Sequence, residues 1–554
     1  FPIIEWLPKY SGTLLIQDII AGITVGLTAI PQGIAYAIVA GLSPEYGLYA
    51  GLMGGFVYLF VGSCKDITVG PTAIMAAMTS KYVSAYSADF AVLASFLSGV
   101  LILAMGILNL GFLVEFISQP VISGFTTAAA LQIASAQLKG LFGLNGSGGK
   151  YFAESMINFF NNILTLKLWD TLLGFTTIII LVLLKRLGEG CKRTDGFVKQ
   201  TRWFISLGRN AVVVIIGIIV AYILKLVTNS EPLILIGEIG SGLPKFQPPP
   251  FTTVVNNNTY SFMDMAKVLG PEAIILPMVA ILELIAIAKA FAGGAPINAT
   301  QEMIALGLCN IFGSFVRSMP VTGSFTRTAL NYASGVQTQA GGIFTGILII
   351  LALSLITSTF YYIPKASLAG LIITAMFYMI DIMIIKRLWT NSKKELFILL
   401  ATIFICLLKG LEYGIVAGIL IDALILLYTT AKPTIEVKIL REEKGVMVVL
   451  LLPESLPYCA ADYTRRKILK ASFEGKLDNL MIIDGTNLRD MDTTVASNII
   501  TAVKDLDKKS RRIALLNFNT SLNKMCMDID PSIGDKFISA GSADSLLEVS
   551  TRSV

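Results

Sequence analysis

The run VTGSFTRTALN, Val321 to Asn331, lies between hydrophobic stretches and carries a single arginine among small hydroxyl residues. A guanidinium in apolar surroundings can pair with a carboxylate or hold an anion. Placing it at the centre of a bilayer costs about 2.5–3.5 kcal/mol on insertion scales, a cost that a negative partner offsets. A packing or snorkelling arginine near a membrane boundary is the plainer alternative for Arg327. Thr322, Ser324, Thr326 and Thr328, with Thr72 of TVGPTAIM, add neutral donors able to replace part of an anion's hydration shell. A second charge, Glu283, sits deep in VAILELIAIAKAFAGG. Three roles stay open for it: a structural ion pair with Arg327, a carboxylate that binds and releases a proton, or a wall of a wet cavity without proton coupling. The chain has no histidine, so proton chemistry near neutral pH falls to carboxylates, with Glu283 the best placed. Gln32 and Tyr36, four residues apart, share a helix face beside Pro31. Kink support and substrate contact are both open there.

The elements that must position these groups are membrane spans. Of 554 residues, 54% are hydrophobic and 14% charged, and the mean hydropathy is +0.73. That is far too apolar for a soluble protein. The 48 glycines suit close helix packing in lipid. A net charge of +6 suggests no nucleic-acid partner. Six cysteines without CxxC spacing, Cys64, Cys191, Cys309, Cys406, Cys459 and Cys526, read as inert thiols, and no metal or cofactor is implied.

Apolar blocks fall near 18–40, 46–62, 71–86, 90–117, 119–142, 168–187, 207–228, 271–290, 301–318, 322–337, 341–358, 366–385, 394–408 and 411–431. This predicts about fourteen spans, several of them short for the roughly 20 residues a full crossing needs. Lys185, Arg186, Lys192, Arg193, Lys199, Arg202 and Arg209 crowd one connection, whereas the 229–270 loop is poor in basic residues. By the positive-inside rule the first is cytoplasmic and the second external, with Lys386, Arg387, Lys393, Lys394 and both termini inside. Sequons at Asn145 and Asn257 then fall in external loops as possible glycosylation sites. FPIIEWLPKYSG contains no cleavable signal peptide, and the abrupt start suggests that a native N-terminal segment is missing before the cytosolic stretch 1–17.

Gly70 follows Asp18 by 52 residues, and Gly323 follows Pro271 by 52, each in an interrupted apolar segment. Seven spans per half reverse the direction of the second copy. Inverted repeats with matching broken helices point to a transporter whose site lies between two half-helices. Each half-helix brings unpaired amides and a positive dipole end, so two opposed N-termini make an anion site.

After Lys432-Pro433 the hydrophobicity falls. Strands are predicted at 446–452, 480–485 and 512–518, with an amphipathic helix over 492–509 and an N-cap near Asp492. This is a small α/β domain over 432–554. It has no GxxxxGK[ST] and no GxGxxG after a strand, and without histidine no Ser-His-Asp triad, so the chain is not read as an enzyme.

GLTAIPQGIAYAIVAGLSPEYGLYAG, Gly26 to Gly51, together with TVGPTAIM, ILELIAIAKAFA and PVTGSFTRTALNYASG, resembles the signature motifs of the SulP, or sulfate permease, family. The likeness extends over nearly the whole chain. It implies an α-helical polytopic membrane protein of 14 spans as 7+7 inverted repeats, 18–228 and 271–431, forming core and gate domains. A C-terminal cytosolic STAS domain would follow. It further implies elevator-like alternating access in a homodimer, held through the membrane and STAS domains, at the plasma membrane or a lysosomal or other endomembrane. The implied activity is secondary active transport of sulfate and related anions, as an exchanger or H⁺-coupled symporter. A chloride/bicarbonate exchanger or an anion channel of the same fold is the alternative, and oxalate is also compatible. By motif, Gln32, Tyr36, Thr72, Ser324, Phe325, Thr326 and Arg327 correspond to the family's anion site. Glu283 corresponds to an acid implicated in proton coupling. Thr493 lies roughly where bacterial STAS relatives carry a phosphorylated serine, although an N-cap role explains it equally well.

Overall fold

Fourteen helices follow the apolar blocks, and their lengths divide them. They are α1 (Gly12–Val39), α2 (Pro44–Val61), α3 (Ala73–Ala85), α4 (Ala88–Ile107), α5 (Gln119–Phe142), α6 (Leu168–Gly188), α7 (Arg209–Thr228), α8 (Glu272–Phe291), α9 (Ala299–Ser314), α10 (Phe325–Ala333), α11 (Gly341–Leu351), α12 (Lys365–Met379), α13 (Lys393–Lys409) and α14 (Leu411–Ala431). The structure, a computed structural model, describes residues 1–538 except 113–116, 147–148, 150, 189–196, 229, 238–241, 256, 292–295, 357–359, 442–445, 475–479 and 510. Cys191, Lys192 and Arg193, and Ser147 of the first sequon, therefore lie outside the described residues; Asn145 and Asn257 are exposed. Among the described residues, seven helices are long and apolar enough to cross a membrane: α1, α4 to α7, α12 carried on to Asn391, and Tyr413–Ala431 of α14. By contrast α3 has 13 residues and α10 has 9. At 1.5 Å per residue these reach roughly 20 and 14 Å, short of the ~30 Å apolar core.

What completes each short element is a strand. β1 (Val69–Gly70) precedes α3 and β2 (Thr322–Gly323) precedes α10, and the two pair antiparallel, Val69 with Gly323 and Gly70 with Thr322. The helices therefore run away from a shared crossing with their N-termini toward it.

Three features depart from what the apolar blocks predict. Thr253–Val255 and Asn258–Tyr260 form a hairpin. The helix Phe262–Leu269, started by a Ser261/Asp264 capping box, leads into α8 through a 63° bend. The block at 366–385 divides because the Asp381 carboxylate accepts the N–H groups of Met383 and Ile384, starting a new helix, Ile382–Asn391.

Packing sorts the spans into two groups. In one, α1 contacts α2, α3, α10 and α11, α2 contacts α9 and α11, and α4 contacts α8 and α9; in the other, α5 contacts α12 and α13, and α6 contacts α7 and α12. Contact between the groups runs mainly through α1 with α7 and α12 and through α3 with α5. Buried acids tie each repeat to the other. Asp18, at the start of the first repeat, accepts from the Gln337 and Thr338 amides and the Thr338 hydroxyl beyond α10. Glu272, at the start of the second, pairs with Lys81 of α3.

Glycines set the closest helix approach. A Cβ on Gly47 would stand 1.9 Å from the Gly33 carbonyl oxygen, so α1 and α2 meet backbone to backbone. Gly47→Ala is expected to cost about 1–3 kcal/mol through overpacking. A thermal melt of the detergent-purified protein checks this; an unchanged Tm would show that the crossing yields without cost.

The chain separates into two compact units, Phe1–Ile419 and Leu420–Val554, with the division inside α14. The second contains a five-stranded sheet: β3 (Ile435–Arg441), β4 (Val446–Leu451), β5 (Leu480–Asp484), β6 (Ile513–Leu516) and β7 (Phe537–Ile538), in the order β7-β6-β5-β4-β3. Only β3 with β4 is antiparallel. The helices α15 (Ala461–Glu474), α16 (Thr493–Asp507) and α17 (Thr520–Ile529) complete it. Val495, Ile499 and Val503 of α16 pack with Val449, Ile483 and Leu515 of the sheet. Asp492 is the N-cap residue of α16 but makes no capping bond; its carboxylate accepts the Tyr458 N–H instead. Thr493 is exposed at the first position of the helix.

Candidate functional site

The β1–β2 crossing is held by interior polar groups. Asn310, fully buried in α9, both accepts from the Val321 N–H and donates to the Val321 carbonyl, each at 2.9 Å. The Ser324 N–H donates to the Thr68 carbonyl at 3.1 Å, and the Thr68 N–H to the Thr328 hydroxyl at 3.2 Å. Thr322 donates its hydroxyl to the Ala280 carbonyl at 2.6 Å. This corrects the sequence expectation for two of the hydroxyls: Thr322 and Thr328 brace the crossing and are not offered to a ligand. Asn310 was missed; its signal was an uncharged hydrogen-bonding residue in an otherwise apolar helix.

Both helix starts open on one cavity. Its walls are Tyr36 of α1, Thr72, Ala73 and Ile74 at the tip of α3, Glu283 of α8, Ser324, Phe325 and Thr326 at the tip of α10, and Met376 and Met379 of α12. The first amides of α3 and α10 have no acceptor within their own helices, apart from that of Met75, which the Thr72 hydroxyl accepts at 3.4 Å. The same Thr72 hydroxyl donates to Glu283 Oε2 at 3.3 Å. Ser324 and Thr326 hydroxyl oxygens are 3.3 Å apart, and Gln32 Nε2 reaches Thr326 at 3.5 Å. The Phe325 ring is 45% exposed and packs on Phe291 at 5.3 Å between centroids.

Arg327 stands behind this wall, on the first turn of α10 and 1% exposed. Its terminal nitrogens Nη1 and Nη2 have no hydrogen-bond partner among the described residues. The ion pair with Glu283, one of the three expected roles, is thus not formed. Snorkelling is excluded by burial. The guanidinium lies against Gly70, where an added Cβ would come within 2.9 Å of Nη2. The crossing therefore combines two positive helix ends, a buried unpaired cation and several hydroxyls, with one carboxylate at the cavity wall. Such an arrangement has the chemistry to hold a small anion.

Of the eight side chains named from sequence, six wall this cavity: Tyr36, Thr72, Glu283, Ser324, Phe325 and Thr326. Gln32 faces the adjoining cavity instead, sharing Thr326 with this one. Met376 and Met379 were not anticipated, because nothing local distinguishes an apolar residue that closes a site from one that faces lipid.

The sulfate permease family profile matches residues 15–402. Over 542 residues the chain is 40% identical to the sodium-independent sulfate anion transporter of Bos taurus, covering 96% of this chain and 88% of that protein. It spans about half the length of the two sulfate permeases of Schizosaccharomyces pombe that it matches. In structure it resembles the murine solute carrier 26 family member A9 anion transporter, solved in the inward-facing state, with TM-score 0.84, 20% identity, and coverage of 97% of this chain and 92% of that one. It also resembles the transmembrane domain of the cyanobacterial bicarbonate transporter BicA, with TM-score 0.58, 21% identity, and coverage of 75% and 98%. These likenesses fix the fold as an integral membrane assembly of 7+7 inverted repeats followed by a STAS domain, and with the profile and the bovine relative they make the chain a member of the sulfate permease family.

Proposed function

We propose that this protein is a secondary active transporter of sulfate and related small anions, working by alternating access. The observation that carries the reading is the convergence of the α3 and α10 tips on one cavity, backed by a buried arginine whose terminal nitrogens have no hydrogen-bond partner among the described residues. An anion there is bound by amides, by Tyr36, Ser324 and Thr326, and by the Arg327 field. The two packing groups support a movement in which α1, α3, α8 and α10 carry the site past α12 and its neighbours.

Glu283 supplies the coupling. As a carboxylate it accepts the Thr72 hydroxyl and repels a divalent anion. Once protonated it no longer repels, and it releases the Thr72 O–H to donate to the anion. Sulfate and a proton then enter together, and a monovalent anion leaves with less need of the proton. Homodimer formation, a cytosolic face for the Lys185–Arg209 connection, and a regulatory role for exposed Thr493 belong to the same reading.

The test is radiolabelled sulfate uptake into proteoliposomes holding the full-length protein, with pH and internal anion varied independently. Saturable uptake, accelerated several-fold by sulfate or chloride inside, is expected. Non-saturating flux with no acceleration by internal anion would select a channel of the same fold.

A further inference from the structure

A second cavity adjoins the first at Thr326, and nothing in the central site needs it. Its walls come from both packing groups: Thr28 and Gln32 of α1 and Thr326 of α10 on one side, Arg209 and Asn210 of α7 and Tyr378 of α12 on the other. Three features mark it as built for a ligand. The Thr28 hydroxyl, on a residue 2% exposed, has no hydrogen-bond partner among the described residues and is free to donate, whereas Gln32 turns its Nε2 to Thr326 and forms only wall. Arg209 and Asn210 are the first two residues of the 20-residue α7, so the positive end of that helix faces the same space. Among the described residues no acidic side chain lines the cavity, and the Lys185 ammonium rests on the Tyr378 ring at 3.2 Å from its centroid. One Arg209 nitrogen is engaged by the Ser206 carbonyl at 2.9 Å, which holds the guanidinium in place. Thr374, also in the wall, contributes nothing polar, because its hydroxyl donates to the Gly370 carbonyl.

We propose that Thr28, Arg209 and Asn210 form a second subsite for a small inorganic anion. It adjoins the central site through Thr326 and opens to the membrane face on which Arg209 lies. The inference deepens the transport reading and rests on it. Because the walls belong to two packing groups, sliding one past the other separates Thr28 from Arg209 and Asn210. The subsite is therefore complete when the central site faces the Arg209 side, and it dissolves when the site faces the other. An anion waiting there is positioned to replace the one leaving the central cavity, so exchange runs with two anions in series on that face only.

The test uses the full-length protein in proteoliposomes of determined orientation, measuring half-saturating sulfate separately on each face. Arg209→Gln is expected to raise it about tenfold, and Thr28→Val about fivefold, on the Arg209 face only, as loss of a charge-assisted and of a neutral hydrogen bond predicts. Arg209→Lys should recover part of the loss. A general packing defect would move both faces alike. Equal shifts on the two faces, or no shift with either variant, would overturn the subsite. Arg327→Gln in the same assay separates the two ideas. If that variant keeps its uptake, the central-site reading fails and the subsite fails with it; if uptake is lost from both faces while Arg209→Gln shows no asymmetry, only the subsite fails.

Discussion

Arg327→Gln is expected to lower sulfate uptake about 100-fold without loss of folded protein. Two unit charges about 6 Å apart at an effective dielectric near 20 attract by roughly 3 kcal/mol, and each 1.4 kcal/mol is tenfold in binding. A divalent anion gains more, and the helix ends and hydroxyls that remain recover part of it. The stability result should run the other way. The Arg327 terminal nitrogens are buried with no hydrogen-bond partner among the described residues, so a shorter neutral amide removes a charge that is costly to bury. The anion-free variant is expected to melt at or above the wild-type temperature, while added sulfate, which stabilises the wild type by mass action, should no longer raise its Tm. Uptake within about threefold of wild type would remove Arg327 from the anion site. A large drop in Tm would assign it a packing role instead.

Glu283→Gln should abolish the pH dependence of uptake. In the wild type, lowering external pH protonates the carboxyl, relieves repulsion of the anion and frees Thr72, so uptake rises as pH falls. A single required proton limits the slope to about tenfold per pH unit. The glutamine imitates the protonated acid, so the variant is expected to hold the acid-side rate at all pH and to lose proton-driven accumulation while retaining exchange. Uptake that keeps its wild-type pH profile in the variant would reject coupling through this residue. The hydrogen bond between Thr72 and Glu283 makes a companion measurement available. Thr72→Val should flatten the profile partially, since the repulsion remains.

The sequence by itself determined the class of molecule and the location of its centre. Hydropathy fixed a membrane protein because lipid admits few charges. The two broken segments, each 52 residues into a repeat, marked the crossing because a span too short for the bilayer must be completed by something else. Polar residues in those segments were legible for the same reason: in apolar surroundings, each departure from hydrophobicity costs free energy and invites an explanation.

Tertiary structure alone decided what each polar residue does. Ser324 and Thr322 are two residues apart with equivalent local chemistry, yet Ser324 walls the cavity and Thr322 bonds to the Ala280 carbonyl of α8. Thr72 was read as a donor to an anion, and its proton goes to Glu283, 211 positions away in sequence. Whether Arg327 and Glu283 pair could not be read from their positions, because the answer depends on how α8 and α10 sit against β1. The same holds for Gln32, which four-residue spacing puts on one face with Tyr36 but which borders the neighbouring cavity. Spacing along one helix fixes which side chains share a face, to within a turn. Which wall that face meets is set by backbone contacts such as Gly33 on Gly47 and by buried anchors such as Asp18 and Asn310, whose partners lie in the other helices or the other repeat. A hydrogen bond is decided over a few tenths of an ångström, and only the assembled packing fixes distances that finely.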